Sequence, residues 1–345
     1  NRPLDEALSL AFTNLGGTAA LTLVEPFDLQ GAFTAERVGY RLSMTETGMM
    51  ALSQTASSDT EALVLNVSAR GLALLDDTTG PGWLGRAFNA GFAAEAELRT
   101  GAGSGQVDQN VGGQALSMTL RAAESAMSLT ARDGVLGLQL SASGYDTDVR
   151  TDMASGTVRL ARLAMGLTAP VVATPTDSTF GLTFDLSDRS VSDGLLAPIG
   201  AASFAGDTAT LQFDLQGRGR WLVEITENPD DAAVPVDFST VTLTGLLTRI
   251  GQSSLTGSGA FSFTPGSFLR SATPEGTGDF GFELVGGEAL LNRLGAAGLL
   301  PPDQQFLARM MMNGLGRPVG ADHLRSEVAI RPGGQVTVNG APLPF

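Results

Sequence analysis

Apolar residues recur at every second position along most of this chain, and that period decides its secondary structure. Successive side chains of a strand point to opposite faces, so apolar residues at i, i+2 and i+4 mark a strand with one buried side. Leu8, Leu10 and Phe12 start the series, followed by Leu21 and Leu23, then Val38, Tyr40 and Leu42. Leu63, Leu65 and Val67, then Leu116, Met118 and Leu120, then Leu136, Leu138 and Leu140 continue it. The second half is more regular. Phe180, Leu182, Phe184 and Leu186 alternate with Thr179, Gly181, Thr183 and Asp185. Ala209 to Leu215, Leu255 to Phe263 and Phe280 to Leu284 repeat the pattern, and Val328, Ile330, Val336 and Val338 predict a closing hairpin around Arg331-Pro332-Gly333-Gly334.

Turn residues separate the runs at Gly80-Pro81-Gly82, Asp133-Gly134, Pro265-Gly266 and Asn339-Gly340. Many of the 44 glycines fall inside strand-like runs, where glycine marks bulges and bends that let a long sheet curl. Helical spacing appears twice. Trp83, Leu84, Ala87 and Phe88 predict a short helix. Leu290, Leu291, Leu294 and Ala297, ended by Gly298, predict another. Pro301-Pro302-Asp303 then starts a partner helix with the stripe Phe306, Leu307, Met310 and Met311, ended by Gly314. The fold expected is mainly β: a long curved antiparallel sheet or open half-barrel with a C-terminal α-helical hairpin over about 287–316. Residues 1–345 read as one large β-rich domain with a possible sub-boundary near 170–178. The segments Gly101–Gly113, Asn228–Pro235 and Ser271–Gly278 are polar or rich in Gly and Pro, and are expected to be the least regular.

Charge narrows the partners. There are 36 acidic residues against 21 basic ones, all Arg, for a net charge of −15. Such a chain is repelled by nucleic acid, which is excluded as a partner. Cysteine is absent, which removes disulfides and thiolate chemistry and suits an envelope or secreted bacterial protein. No apolar run reaches ~18 residues, so no helical transmembrane segment is expected. The opening Asn1-Arg2-Pro3 has no initiator Met and reads as a processed chain whose N-terminal export signal is gone.

Catalytic motifs are scarce. The single His, His323, precedes a strand and reads as a loop residue. Without Lys there is no P-loop lysine, and no Gly-x-Ser-x-Gly elbow lies at a strand–helix junction. Asp146, Asp148 and Asp152 have oxygen ligands at a spacing that could hold Ca²⁺, but the central Gly and closing Glu of a calcium loop are missing. Alternating Asp on the wet face of a strand is the better reading. Asp76-Asp77 and Asp230-Asp231 read as solvated turns. Two Trp and two Tyr give no carbohydrate platform, and Trp83 and Trp221 read as core or rim residues. The expectation is a protein that is not an enzyme, with no catalytic residue, no metal and no cofactor.

The C-terminal part carries a resemblance. Leu255-Thr256-Gly257-Ser258-Gly259-Ala260-Phe261-Ser262-Phe263, Leu284-Val285-Gly286-Gly287, Ala297-Gly298-Leu299-Leu300-Pro301 and Ala308-Arg309-Met310-Met311 together resemble an uncharacterised alphaproteobacterial family, domain of unknown function 2125. Arg317-Pro318, Val338-Asn339-Gly340 and Ala209 to Leu215 extend the likeness, which is best over about 194–345. The Val-Asn-Gly ending also resembles β-rich envelope proteins of the AsmA type. The family likeness implies an exported protein of the periplasm or outer envelope of a Gram-negative cell, and assigns no catalytic residue. Two functions are expected from this. One is a module that binds or carries a lipid or other apolar molecule on its curved sheet, suggested by strands whose two faces both read as fairly apolar, as at Leu160, Ala161, Leu163, Ala164 and Met165. The other is a structural or interaction subunit of an envelope or surface assembly, with an envelope protein as partner. A carboxylate hydrolase is the third, remoter reading.

Overall fold

Strand after strand, the alternation folds into one antiparallel sheet of 18 strands. The computed structural model describes residues 7–24, 28–46, 52–75, 80–224, 236–267 and 275–343. The first strands are long: β1 (Ala7–Val24), β2 (Asp28–Glu46) and β3 (Leu52–Arg70). β4 (Ala93–Thr100) and β5 (Gly103–Val111) lie end to end against β3, as β6 (Gln114–Ala122) and β7 (Glu124–Arg132) do against β8 (Val135–Thr151). β9 (Ser155–Pro170), β10 (Ser178–Val191), β11 (Ala209–Trp221), β12 (Val236–Ile250), β13 (Ser253–Phe263) and β14 (Gly276–Val285) then follow as a meander. β16 (His323–Arg331) pairs with β14, and the short β15 (Arg317–Gly320), β17 (Gln335–Val338) and β18 (Ala341–Pro342) finish that end. The connection 171–177 joins two strands that pair directly, β9 and β10, within this sheet.

The hairpins follow turn chemistry. Asp133-Gly134, Gly112-Gly113 and Asn339-Gly340 have positive φ at both positions, as a type I′ turn requires. Gly101–Gly113, expected to be irregular, is mostly strand β5. Its Gly, Ser and Gln residues have little strand propensity, but β3 and β6 pair with it on both sides and supply every ladder bond. Asp76-Asp77, Asp230-Asp231 and Asn228–Pro235 lie outside the described residues.

Among the described residues, four α-helices can be placed on the sheet: α1 (Trp83–Asn89), α2 (Asp193–Leu196), α3 (Gly287–Ala296) and α4 (Pro302–Leu315). α4 runs one residue past Gly314, because the stop is made by the extended Gly316. The compact core is small. It gathers Ala87, Phe88, Phe92 and Val171 beneath α1, against Ala94, Ala131 and Leu136 of the sheet. Glu224, 3% exposed, pins α1 there by accepting N–H bonds from Leu84 (2.8 Å) and Gly85 (2.7 Å) at the helix start. Solvent reaches 20814 Å² of the protein, against about 13,000 Å² for a compact monomer of this mass. The excess is what a single-layer sheet with two open faces exposes.

Candidate ligand-binding face

Paired positions share a face, so the register shows what each face holds. Starting at Leu138, one row runs through Leu167, Leu182, Leu215, Leu243, Gly259, Phe280, Val328 and Val338. In the other direction it runs through Leu129, Ala96, Val67 and Gly31 to Leu21. No member is polar. The next row repeats this with Leu140, Met165, Phe184, Phe213 and Leu246 on one side and Met127, Leu98, Leu65 and Phe33 on the other. The opposite face is hydrophilic: Gln139 lies in a row with Ser128, Glu97 and Asn66 one way and Gly166, Thr183 and Asp214 the other.

A crease crosses the first ten strands, and the apolar face survives it by a one-residue step in the alternation. On β8 the apolar set moves from Leu136, Leu138 and Leu140 to Tyr145 and Val149. On β3 it moves from Ala56 to Leu63, Leu65 and Val67, and on β2 from Leu29 and Phe33 to Val38, Tyr40 and Leu42. Pairing keeps step across the break: Ser143 opposes Arg162 and Tyr145 opposes Leu160. What changes is the backbone, which turns left-handed at Ala62 (φ 50°), Gly144 (φ 62°) and Asp188 (φ 53°). Asp188 shows the consequence. It lies two residues from Leu186, yet its N–H bonds to the Thr210 hydroxyl (3.3 Å) and its carboxylate accepts from Arg249 (2.8 Å), both on the hydrophilic face. The step also explains Leu160 and Leu163. Three residues apart, they pair with Tyr145 and Ala142 on the apolar side of the crease line. The apolar stretch Leu160 to Met165 thus belongs chiefly to one face.

Aromatic rings and glycines line the later strands together. A Cβ on Gly217 would lie 2.0 Å from the Phe180 ring, and one on Gly257 would lie 2.4 Å from the Phe282 ring. The rings therefore occupy the space that glycines of the adjacent strand leave free. Phe180 and Phe238 meet edge-on at 5.0 Å across β11. The face is open: Met127, Leu129 and Leu167 are each 41% exposed. A groove of about 380 Å³ lies on it, lined by Leu98, Met127, Leu140, Tyr145, Leu163, Met165 and Phe184. That volume falls in the range of small-molecule sites, about 300–1,000 Å³. Larger grooves of about 530 and 600 Å³ lie on the hydrophilic side, around Gln139, Gly166 and Thr183. Arg162 there pairs with Asp185 (3.3 Å) and Arg99 with Glu97, while Glu124, Asp214 and Arg218 also line these grooves, so their walls suit water and polar groups better than hydrocarbon.

The helices sit at the two ends of the apolar face. α1 covers the Ala94, Ala131 and Leu136 end. At the other end a Cβ on Gly156 would meet Leu195 of α2 at 2.9 Å. The α3–α4 hairpin roots on Leu284 and Leu324: a Cβ on Gly287 would touch Leu284 and Met312, and one on Gly316 would touch Leu324. Asp322 caps α3 through the N–H groups of Glu288 (2.9 Å) and Ala289 (3.0 Å), and Arg309 bonds Glu288 (3.0 Å) and Asn292 (2.6 Å) to tie the helices together. The stripe Phe306, Leu307, Met310 and Met311 points to solvent, with Phe306 69% exposed.

The Asp cluster is dispersed by pairing. Asp146 faces Arg159 (3.5 Å), Asp148 accepts from Arg121 (3.0 Å) and Thr157 (2.9 Å), and Asp152 accepts the Ala115 N–H (3.1 Å). The Arg121 and Thr157 bonds hold the Asp148 carboxyl below its ordinary value. Among the described residues, no group of three or more acids or His gathers into a metal site. His323 begins β16, its Nε2 3.9 Å from Glu283. No helix among the described residues is long and apolar enough to cross a membrane. No family model, curated protein or solved structure matches the chain.

Proposed function

We propose that this protein is a non-enzymatic envelope module that holds the hydrocarbon chains of a lipid, or a comparable apolar molecule, along the apolar face of its sheet. The observation that supports this most is the unbroken apolar row from Leu21 to Val338, half-buried along most of its length and exposed at Leu21, Leu129 and Leu167. Exposed apolar patches beyond a few hundred Å² mark binding surfaces. Each CH₂ that a ligand buries there gains about 0.8 kcal/mol, so a chain of ordinary acyl length needs few polar contacts to be retained. The absent cysteine and the family likeness near the C-terminus support an exported location in the periplasm or outer envelope. The test is native mass spectrometry of gently purified protein beside a solvent-extracted sample. A lipid adduct in the first, lost in the second and reduced at least tenfold in L182D, is expected. An adduct-free spectrum in both would retire the reading.

A second reading, a subunit of an envelope assembly, is favoured by the exposed α4 stripe alone. Light scattering on a native extract separates the two: co-elution with another protein, abolished by M310D, supports the subunit.

A further inference from the structure

The two edges of the sheet are treated in opposite ways. At the C-terminal edge the strands are short and blunted: β15 has four residues including Arg317 and Pro318, and β18 has two including Pro342. Proline and charge are the usual protection of an exposed edge. At the other edge β1 is 18 residues long, without a proline or a charged residue, and among the described residues it pairs with β2 alone. Left bare, such an edge is a template for another strand.

The sequence of β1 says which strand. Read outward from its centre at Leu15-Gly16, it is self-complementary: Leu8 mirrors Leu23, Leu10 mirrors Leu21, Ala11 mirrors Ala20 and Thr13 mirrors Thr18. The break in register with β2, between Thr13 and Gly17, lies at that same centre. Because the alternation steps there, a straight strand of uniform period would fall out of phase over one half. A second β1, antiparallel about a two-fold axis normal to the sheet, stays in phase over both halves. We infer that this edge pairs with the β1 of a second copy of the chain. The Leu21 position then lies opposite the partner's Leu10 position, which is paired with Leu42, and the two sheets join into one.

The inference stands apart from lipid binding, and cross-linking tests it. The chain has no Cys, so introduced thiols are unambiguous. In the proposed register Thr13 lies opposite the partner's Thr18. The double variant T13C/T18C is expected to form an interchain disulfide dimer on mild oxidation. T13C or T18C alone is expected to form none, since like positions would lie about 16 Å apart, beyond the roughly 7 Å Cα limit. Sedimentation of wild type should give twice the chain mass, and A11R/A20R the chain mass with an unchanged circular dichroism spectrum. A single-chain mass for wild type at all micromolar concentrations, or equal cross-linking of the single variants, would overturn it.

Discussion

Glu224 illustrates how single side chains hold this thin structure together. Its buried carboxylate satisfies two N–H groups at the start of α1, a helix 139 residues away in sequence. E224A leaves those donors without a partner beside the compact cluster at α1, and is expected to lower stability by about 2 kcal/mol in urea unfolding. Charges on the hydrophilic face act differently. Bonds from Arg121 and from Arg331 hold the Asp148 and Asp279 carboxyls below their ordinary 3.8. A carboxyl depressed in the folded state contributes stability that is present above that value and lost as pH falls through the lower one. Wild type should therefore lose thermal stability below about pH 4, with D148N and D279N showing a smaller loss over that window. An equal loss in all three would mean these pairs are inert.

At the scale of elements, the glycines under aromatic rings are what the lining depends on. G217A would drive a Cβ into the Phe180 ring and is expected to cost about 1–3 kcal/mol. Gly245, with nothing within 4 Å of an added Cβ, serves as the control, and G245A should be near neutral. A calorimetric scan of both decides. The strands from Phe180 to Leu284 and the helical hairpin were legible because their periods are long and clean. β5 was not, since its pairing partners rather than its own residues make it a strand. The crease was hidden for a different reason. A one-residue step in alternation looks like the end of one strand and the start of another, and only the pairing of Ser143 and Tyr145 to a single β9 shows that the strand continues. Nor did the sequence tell a buried α4 stripe from an exposed one, because amphipathic spacing states which residues share a side and not what covers them.

For the whole molecule, the sheet is amphipathic along its paired rows, and its apolar side stays exposed at Met127, Leu129 and Leu167. Composition argues against nucleic acid and for an apolar ligand or an envelope protein as the expected partner, but it could not sort two faces that each contain Leu, Ala and Gly. Register did that sorting. The site was legible only as a set of alternating residues, and its continuity depends on left-handed turns at Ala62, Gly144 and Asp188 that no motif announces. The claim that matters most is that hydrocarbon lies on this face and not in the larger hydrophilic grooves. Photolabelling with a diazirine-bearing fatty acid, followed by peptide mapping, tests it most directly. Adducts on Leu138, Met165, Leu167 and Leu182 are expected, with Gln139, Thr183 and Asp214 unlabelled. Labelling concentrated on those hydrophilic-face residues, or none that unlabelled fatty acid can compete away, would contradict the account.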